Sequence, residues 1–113
     1  ELYGKYLKIF TRWNLLLKQV ESKHRTLYRE KWEYYSGKSD PEVYREKPLD
    51  LKILKQDVPI YLEGDNELIE SQHTVEYHKA MVDHAEKMCK MLNNRGFQIK
   101  NAIDWKRFME GSI

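Results

Sequence analysis

The chain is poor in the residues that mark most enzymes and most membrane proteins. It holds one cysteine, Cys89, among 113 residues. A single thiol cannot close an internal disulfide and has no Cys-x-x-Cys partner for zinc, which fits a reducing compartment. No apolar run approaches the roughly 18 residues of a membrane span, and no basic stretch followed by a short apolar core and a small-residue cleavage site is present. These absences predict a soluble, intracellular protein without a membrane partner. The phosphate-binding pattern GxxxxGK[ST] is missing, so ATP hydrolysis by this chain is not expected. His73 and His78 are five apart, as are His84 and Cys89, whereas two ligands on one helical face need a spacing of about three or four. No nucleophile motif positions the serines and histidines. The expectation is therefore a protein that is not an enzyme, with no metal and no cofactor.

Proline and glycine are also scarce where it matters. From Leu2 to Tyr35 there is no proline and one glycine, Gly4. Across this stretch Tyr3, Phe10 and Leu17 recur at seven-residue spacing and are continued by His24 and Lys31. Tyr6, Trp13, Val20, Leu27 and Tyr34 form the interleaved row. This heptad pattern predicts one helix of about 34 residues, roughly 50 Å long. A single small domain of this size buries only a modest core, and an elongated one leaves apolar surface for oligomerisation to cover. The chain starts at Glu1 rather than Met, so the helix is expected to begin upstream.

Ser36-Gly37-Lys38-Ser39-Asp40-Pro41 is a run of breakers, with Gly37 suited to a left-handed helix cap, so the first helix should stop at Tyr35 or Ser36. The connecting stretch contains Pro48 and Pro59 and reads as loop with a short helix near residues 49–55. Ile60-Tyr61-Leu62 is equally readable as a brief strand. A second long helix should start near Asp65 or Asn66, both good N-caps, with Glu67 in its first turn. Leu68, Val75, Val82 and Cys89 lie seven apart, His78, Ala85 and Leu92 fill the alternate row, and Asn93-Asn94-Arg95-Gly96 ends the pattern. Asn101 then caps a final short helix bearing Ile103, Trp105 and Phe108, which cannot satisfy its own apolar face and should dock on the hairpin or on another subunit. The expected architecture is all-α: a long antiparallel helical hairpin with a short C-terminal helix, assembling as a homo-oligomer. Its parts are a basic long helix (1–36), an acidic connection with a short helix (37–64), a second long helix (65–95) and a C-terminal segment (96–113).

Net charge is only +2, but it is unevenly placed. Residues 1–36 carry eight Lys/Arg against four Asp/Glu, whereas residues 37–70 carry five against nine. Most cations of the first helix avoid its apolar seam. Any charge-rich helix shows such a face to water, and the excess of cations over acids is what favours a polyanion partner. Arg25, Arg29 and Trp32 are surface neighbours at spacings of four and three, and Tyr28 and Tyr35 flank Trp32. Guanidinium groups suit phosphates, and open rings suit the base faces of a single strand. Lys31 falls in the inward row but in the last turn, where its stem can reach outward. Lys38 extends the patch past the helix end. Tyr34 closes the hydrophobic seam, while Tyr35 is open to either role. Glu67, Glu70 and Asp65 crowd a helix start, where the dipole accounts for them.

The segment Arg29-Glu30-Lys31-Trp32-Glu33-Tyr34-Tyr35-Ser36-Gly37 resembles the UvsY family, recombination mediator proteins of T-even-like bacteriophages. The best-known member has Lys-Ala-Arg-Leu-Asp-Tyr-Tyr-Ser-Gly at the equivalent place. Asn94-Arg95-Gly96-Phe97-Gln98-Ile99-Lys100, followed by Phe108 and Gly111, is similar to the family's Ser-Arg-Gly-Phe-Ala-Ile-Lys and later Phe-x-x-Gly. Leu2-Tyr3 with Lys5 matches the start of the long helix, and residues 38–66 are only loosely similar.

The resemblance implies a non-enzymatic protein that binds single-stranded DNA and assembles into a ring of six or seven copies. Such a protein helps a phage recombinase of the UvsX kind replace a phage single-strand binding protein, in the cytoplasm of the infected host. The family's basic-x-basic pair carries over to Arg29 and Lys31, with Glu30 between them where the known member has alanine and Trp32 in place of leucine. The family's oligomerisation segment corresponds to residues 101–111, and it is this resemblance that assigns oligomerisation to the C-terminal segment (96–113). The competing readings are a helical scaffold or adaptor that works through protein contacts without touching DNA, and a metal-dependent nuclease, which would need clustered carboxylates.

Overall fold

A computed structural model describes residues 2–94. Four α-helices follow one another: α1 (Leu2–Tyr35), α2 (Pro41–Glu46), α3 (Val58–Glu63) and α4 (Asn66–Asn93), with a 3-10 turn at Lys55–Asp57 before α3. No strand occurs among the described residues. The C-terminal helix expected from Asn101, with Ile103, Trp105 and Phe108, lies outside them. The described residues divide into two compact units, one formed by residues 2–20 with 74–94 and the other by residues 21–73.

In the first unit the two heptad patterns meet. Tyr3 and Phe10 of α1 are buried with Val82, Ala85 and Cys89 of α4, and Tyr6, Leu7, Ile9, Trp13, Leu17 and Leu92 pack around them. The α4 row at seven-residue spacing is buried along its whole length, from Leu68 through Val75 and Val82 to Cys89. Trp13 meets the edges of Tyr77 and His78 at centroid distances of 6.1 and 5.4 Å. Burial pushes the Cys89 thiol up, and nearby Glu86 adds to this, so the thiol is a small core hydrophobe rather than a nucleophile.

In the second unit the inward row of α1 becomes polar. His24 Nδ1 shares a 2.9 Å hydrogen bond with Ser71 Oγ, and Lys31 lies against Asp65 and Glu67. Rising numbers on α1 meet falling numbers on α4, so the pairing is antiparallel. The apolar core here comes largely from the connection: Val58 and Leu62 of α3 are buried with Leu68, and Leu27, Tyr35 and Ile53 pack on them.

The connection departs from expectation in three places: α2 forms at Pro41–Glu46, where breakers and loop are expected. Residues 49–54 are not helical, and residues 60–62 belong to α3 rather than to a strand. The reason lies in the prolines. Pro41 and Pro59 sit in the first turns of α2 and α3, where a fixed φ and a missing N–H cost nothing, so they start helices instead of interrupting them.

α1 ends as its sequence indicates. Gly37 adopts φ +77, its N–H donates to the Tyr34 carbonyl at 3.2 Å and the Lys38 N–H donates to the Glu33 carbonyl at 2.8 Å. This is the Schellman pair of bonds, which satisfies two orphan carbonyls. A Cβ at Gly37 would meet nothing within 4 Å, so Gly37→Ala carries only the left-handed backbone penalty. The expected loss is about 1 kcal/mol in a urea titration.

Candidate nucleic-acid interface

The last three turns of α1 and the Gly37 turn carry all six residues singled out from the sequence, and the structure sorts them into two groups. Arg25, Arg29, Trp32 and Lys38 are exposed, as is the neighbouring Tyr28. Arg25 bonds only locally, donating to Ser22 Oγ at 3.1 Å. Arg29 has no ion-pair partner among the described residues. The Lys38 ammonium stands 4.7 Å from the Trp32 ring centroid, a cation–π contact that the Gly37 turn makes possible by folding the chain back beside the helix. Trp32 keeps 38% of its surface open. This group offers cations and ring faces to solvent together.

Lys31 and Tyr35 face the other way. The Lys31 ammonium lies 3.3 Å from Asp65 Oδ2 and 3.2 Å from Glu67 Oε1. Tyr35 donates its hydroxyl hydrogen to Asp65 Oδ2 at 2.6 Å, and its ring lies 5.8 Å from that of Tyr61. The inward heptad position of Lys31 thus governs its direction, and its stem does not reach to the outer stripe in this structure. Asp65, 7% exposed, joins α1 to the start of α4 in the second unit. Besides Tyr35 and Lys31, its Oδ1 accepts the Leu68 N–H at 3.1 Å, which makes it the side-chain N-cap of α4.

The electrostatics follow from these contacts. Burial pushes the Asp65 carboxyl up, but the Tyr35 hydroxyl, the Leu68 amide and the Lys31 ammonium outweigh it and hold the group below the usual carboxylate range. Burial likewise disfavours charge on Lys31, and its bonds to Glu67 and Asp65 reverse that and raise it. Tyr35 is raised by burial and by its bond to Asp65, so it remains a neutral donor. Glu67 is lowered by Lys31 first and then by Lys47.

Tyrosines fix the turn itself. Tyr34 donates to the Lys47 carbonyl at 2.9 Å and stacks on Tyr44 at 5.4 Å. Tyr44 donates to the Tyr34 carbonyl at 2.8 Å and accepts the Ser39 N–H at 3.2 Å. Tyr44, Asp65 and Glu67 were not recognised from the sequence as parts of this region. For the two acids a signal existed: a lysine in an inward heptad row requires an anion opposite it.

The described residues hold no group of three His, Cys, Asp or Glu side chains placed to bind a metal ion. None of their helices is long and apolar enough to cross a membrane. No curated protein and no solved structure matches the chain significantly. A family model described as "Recombination, repair and ssDNA binding protein UvsY" matches residues 1–112. With nearly the whole length matched and the Arg29-to-Gly37 motif built as a cation- and ring-bearing helix end, the chain belongs to the UvsY family, whose role is recombination, repair and single-stranded-DNA binding.

Proposed function

We propose that this protein is a recombination mediator. A ring of six or seven copies, joined through Ile103, Trp105 and Phe108, grips single-stranded DNA and promotes loading of a UvsX-like recombinase in place of the single-strand binding protein, in the host cytoplasm. The strand is contacted by Arg25, Arg29, Trp32 and Lys38 of the exposed group, while Lys31 and Tyr35, singled out with them from the sequence, are held on the other side by Asp65 and fix the helix end that carries the patch. One observation carries the assignment of the site: Arg29 and Trp32 are exposed side by side within the matched family segment, with the Lys38 ammonium already against the indole. One copy offers few phosphate contacts and binds weakly. A ring raises the effective concentration of each further contact, so many weak patches hold one strand firmly while each exchanges fast enough to hand it on.

The test is a salt series of binding to a labelled oligothymidylate, with sedimentation to follow oligomer mass. For Arg29→Ala combined with Lys31→Ala, the expected result is weaker binding at unchanged mass. The salt slope should fall by about 0.7 for each phosphate that the variant no longer neutralises. Arg29→Ala alone separates the DNA contribution from the internal role of Lys31. An unchanged slope in both variants removes the site.

A second reading, an adaptor that acts by protein contacts alone, draws support from the exposed Leu51, Leu54 and Ile60 of the second unit. It predicts negligible binding of a single strand at moderate salt. Trp13 and Leu17, the seam residues such an adaptor would use, are already packed inside the first unit.

A further inference from the structure

The Glu67 carboxylate is held in an unusual way for a residue in the first turn of a helix. A single oxygen, Oε1, lies 3.2 Å from the Lys31 ammonium and 3.4 Å from the Lys47 ammonium. Two lysines converging on one anionic oxygen is the arrangement a phosphodiester oxygen would meet. The place is open. Lys31, Lys47 and Glu67 line a cleft of ≈ 360 Å³ together with Tyr34, Val43 and the acid Glu30, and Glu67 is 54% exposed while Lys47 is 69% exposed.

The two acids on Lys31 differ in how firmly they are held. Asp65 is buried and committed to Tyr35 and Leu68 as well, so it stays and fixes the lysine. Among the described residues Glu67 is held only by the two ammonium groups at its exposed end, and an ion pair open to solvent on the carboxylate side is weakly held. An ammonium has three N–H donors. Lys31 can therefore keep Asp65 and exchange Glu67 for another anion.

Resting on the nucleic-acid reading above, we infer that Lys31 and Lys47 form a second phosphate subsite for the single strand, closed in the free protein by Glu67 acting as an internal substitute for phosphate. Lys47 is the new contact, and Glu67 is the competitor that sets its affinity. A strand phosphate entering the cleft displaces the carboxylate, which swings to solvent while α4 keeps its Asp65 cap. The subsite joins the exposed Arg29 and Trp32 stripe through Lys31, the residue before Trp32 on the same helix end. Binding at this subsite is self-limited, which suits a protein that must release DNA to a partner.

The experiment measures affinity of the full chain for a labelled oligothymidylate across a salt series, for Glu67→Gln, Glu67→Gln with Lys47→Ala, Arg29→Ala and Asp83→Asn. The last adds the same unit of charge on α4 away from the two lysines. Glu67→Gln is expected to bind about five-fold more tightly at low salt, with a slope steeper by about 0.7 for the one additional phosphate per copy. Adding Lys47→Ala should return both quantities to the wild-type value or below. Asp83→Asn should tighten binding by less than about two-fold, as expected for an isolated surface charge. If Glu67→Gln binds like wild type while Arg29→Ala weakens binding, the subsite is refuted and the DNA reading stands. Equal tightening by Asp83→Asn also refutes it, because the effect is then general charge. If wild type ignores the oligonucleotide even in dilute buffer, the DNA reading itself fails and takes the subsite with it. Thermal melting of each variant reports folding, and Gln at 67 retains the helix and most of the side-chain volume.

Discussion

Asp65→Ala is expected to lower stability by about 3 kcal/mol, since the loss of an N-cap costs about 1 and the loss of charge-assisted bonds to Tyr35 and Lys31 about 2 more. The side chain is nearly enclosed, so little water can replace what is removed. Tyr35 is left with a hydroxyl donor that has no acceptor, and Lys31 keeps only the exposed Glu67. Urea denaturation should show a lower midpoint at an unchanged slope. Asp65→Asn separates charge from shape, because its carbonyl oxygen can still accept the Leu68 N–H. The wild-type carboxyl titrates below its unfolded value of 3.8. Its contribution is therefore complete above that value and is lost as pH falls through the lower, folded one. The stability gap between wild type and Asp65→Asn should be widest near neutrality and should close in acid. A gap that is the same at neutral pH and in strong acid would contradict the assignment.

Phe10→Ala carries the other large expected effect, a loss of about 3 to 5 kcal/mol. Phe10 is 2% exposed and sits among Tyr3, Val82, Ala85 and Cys89. These neighbours belong to two long helices, α1 and α4, so the void cannot collapse cheaply, and the transfer and cavity contributions both remain. Leu15→Ala, on the same helix but 47% exposed, should stay within about 0.5 kcal/mol of wild type. Comparable losses for the two substitutions would mean that the seam is misplaced.

How much of this could be read from the residues depends on the range over which each signal acts. α1 and α4 were legible because a seven-residue repeat continues through several turns and because Gly37 and Asp65 are terminators with a local mechanism. α2 and α3, six residues each, are too short to hold as helices by themselves. α3 persists because Val58 and Leu62 are buried against Leu68, a contact across the break at Gly64 that the periodicity of neither helix encodes. Pro41 and Pro59 look alike whether they begin a helix or break one.

The candidate site divides in the same way. The stripe of Arg25, Arg29 and Trp32 follows from helical spacing alone, and the exposed side chains match it. Lys31 and Tyr35 have partners some thirty residues away, Asp65 and Glu67, and their direction is set by that encounter. Tyr44 was invisible for a related reason. Its function is to bond a main-chain carbonyl at the end of α1, and a tyrosine in a polar loop carries no mark of that.

The change in character of the inward row of α1, from Tyr3 and Phe10 to His24 and Lys31, gives the connection between the long helices a duty beyond joining them. Without Val58 and Leu62 the second unit would keep its polar zipper but lose two of the three buried apolar side chains that close it. A protease nicking the chain ahead of α3 would therefore do more than sever a tether. It would loosen the apolar floor beneath Tyr35 and Leu68, and with it the footing of the helix end that displays Arg29 and Trp32.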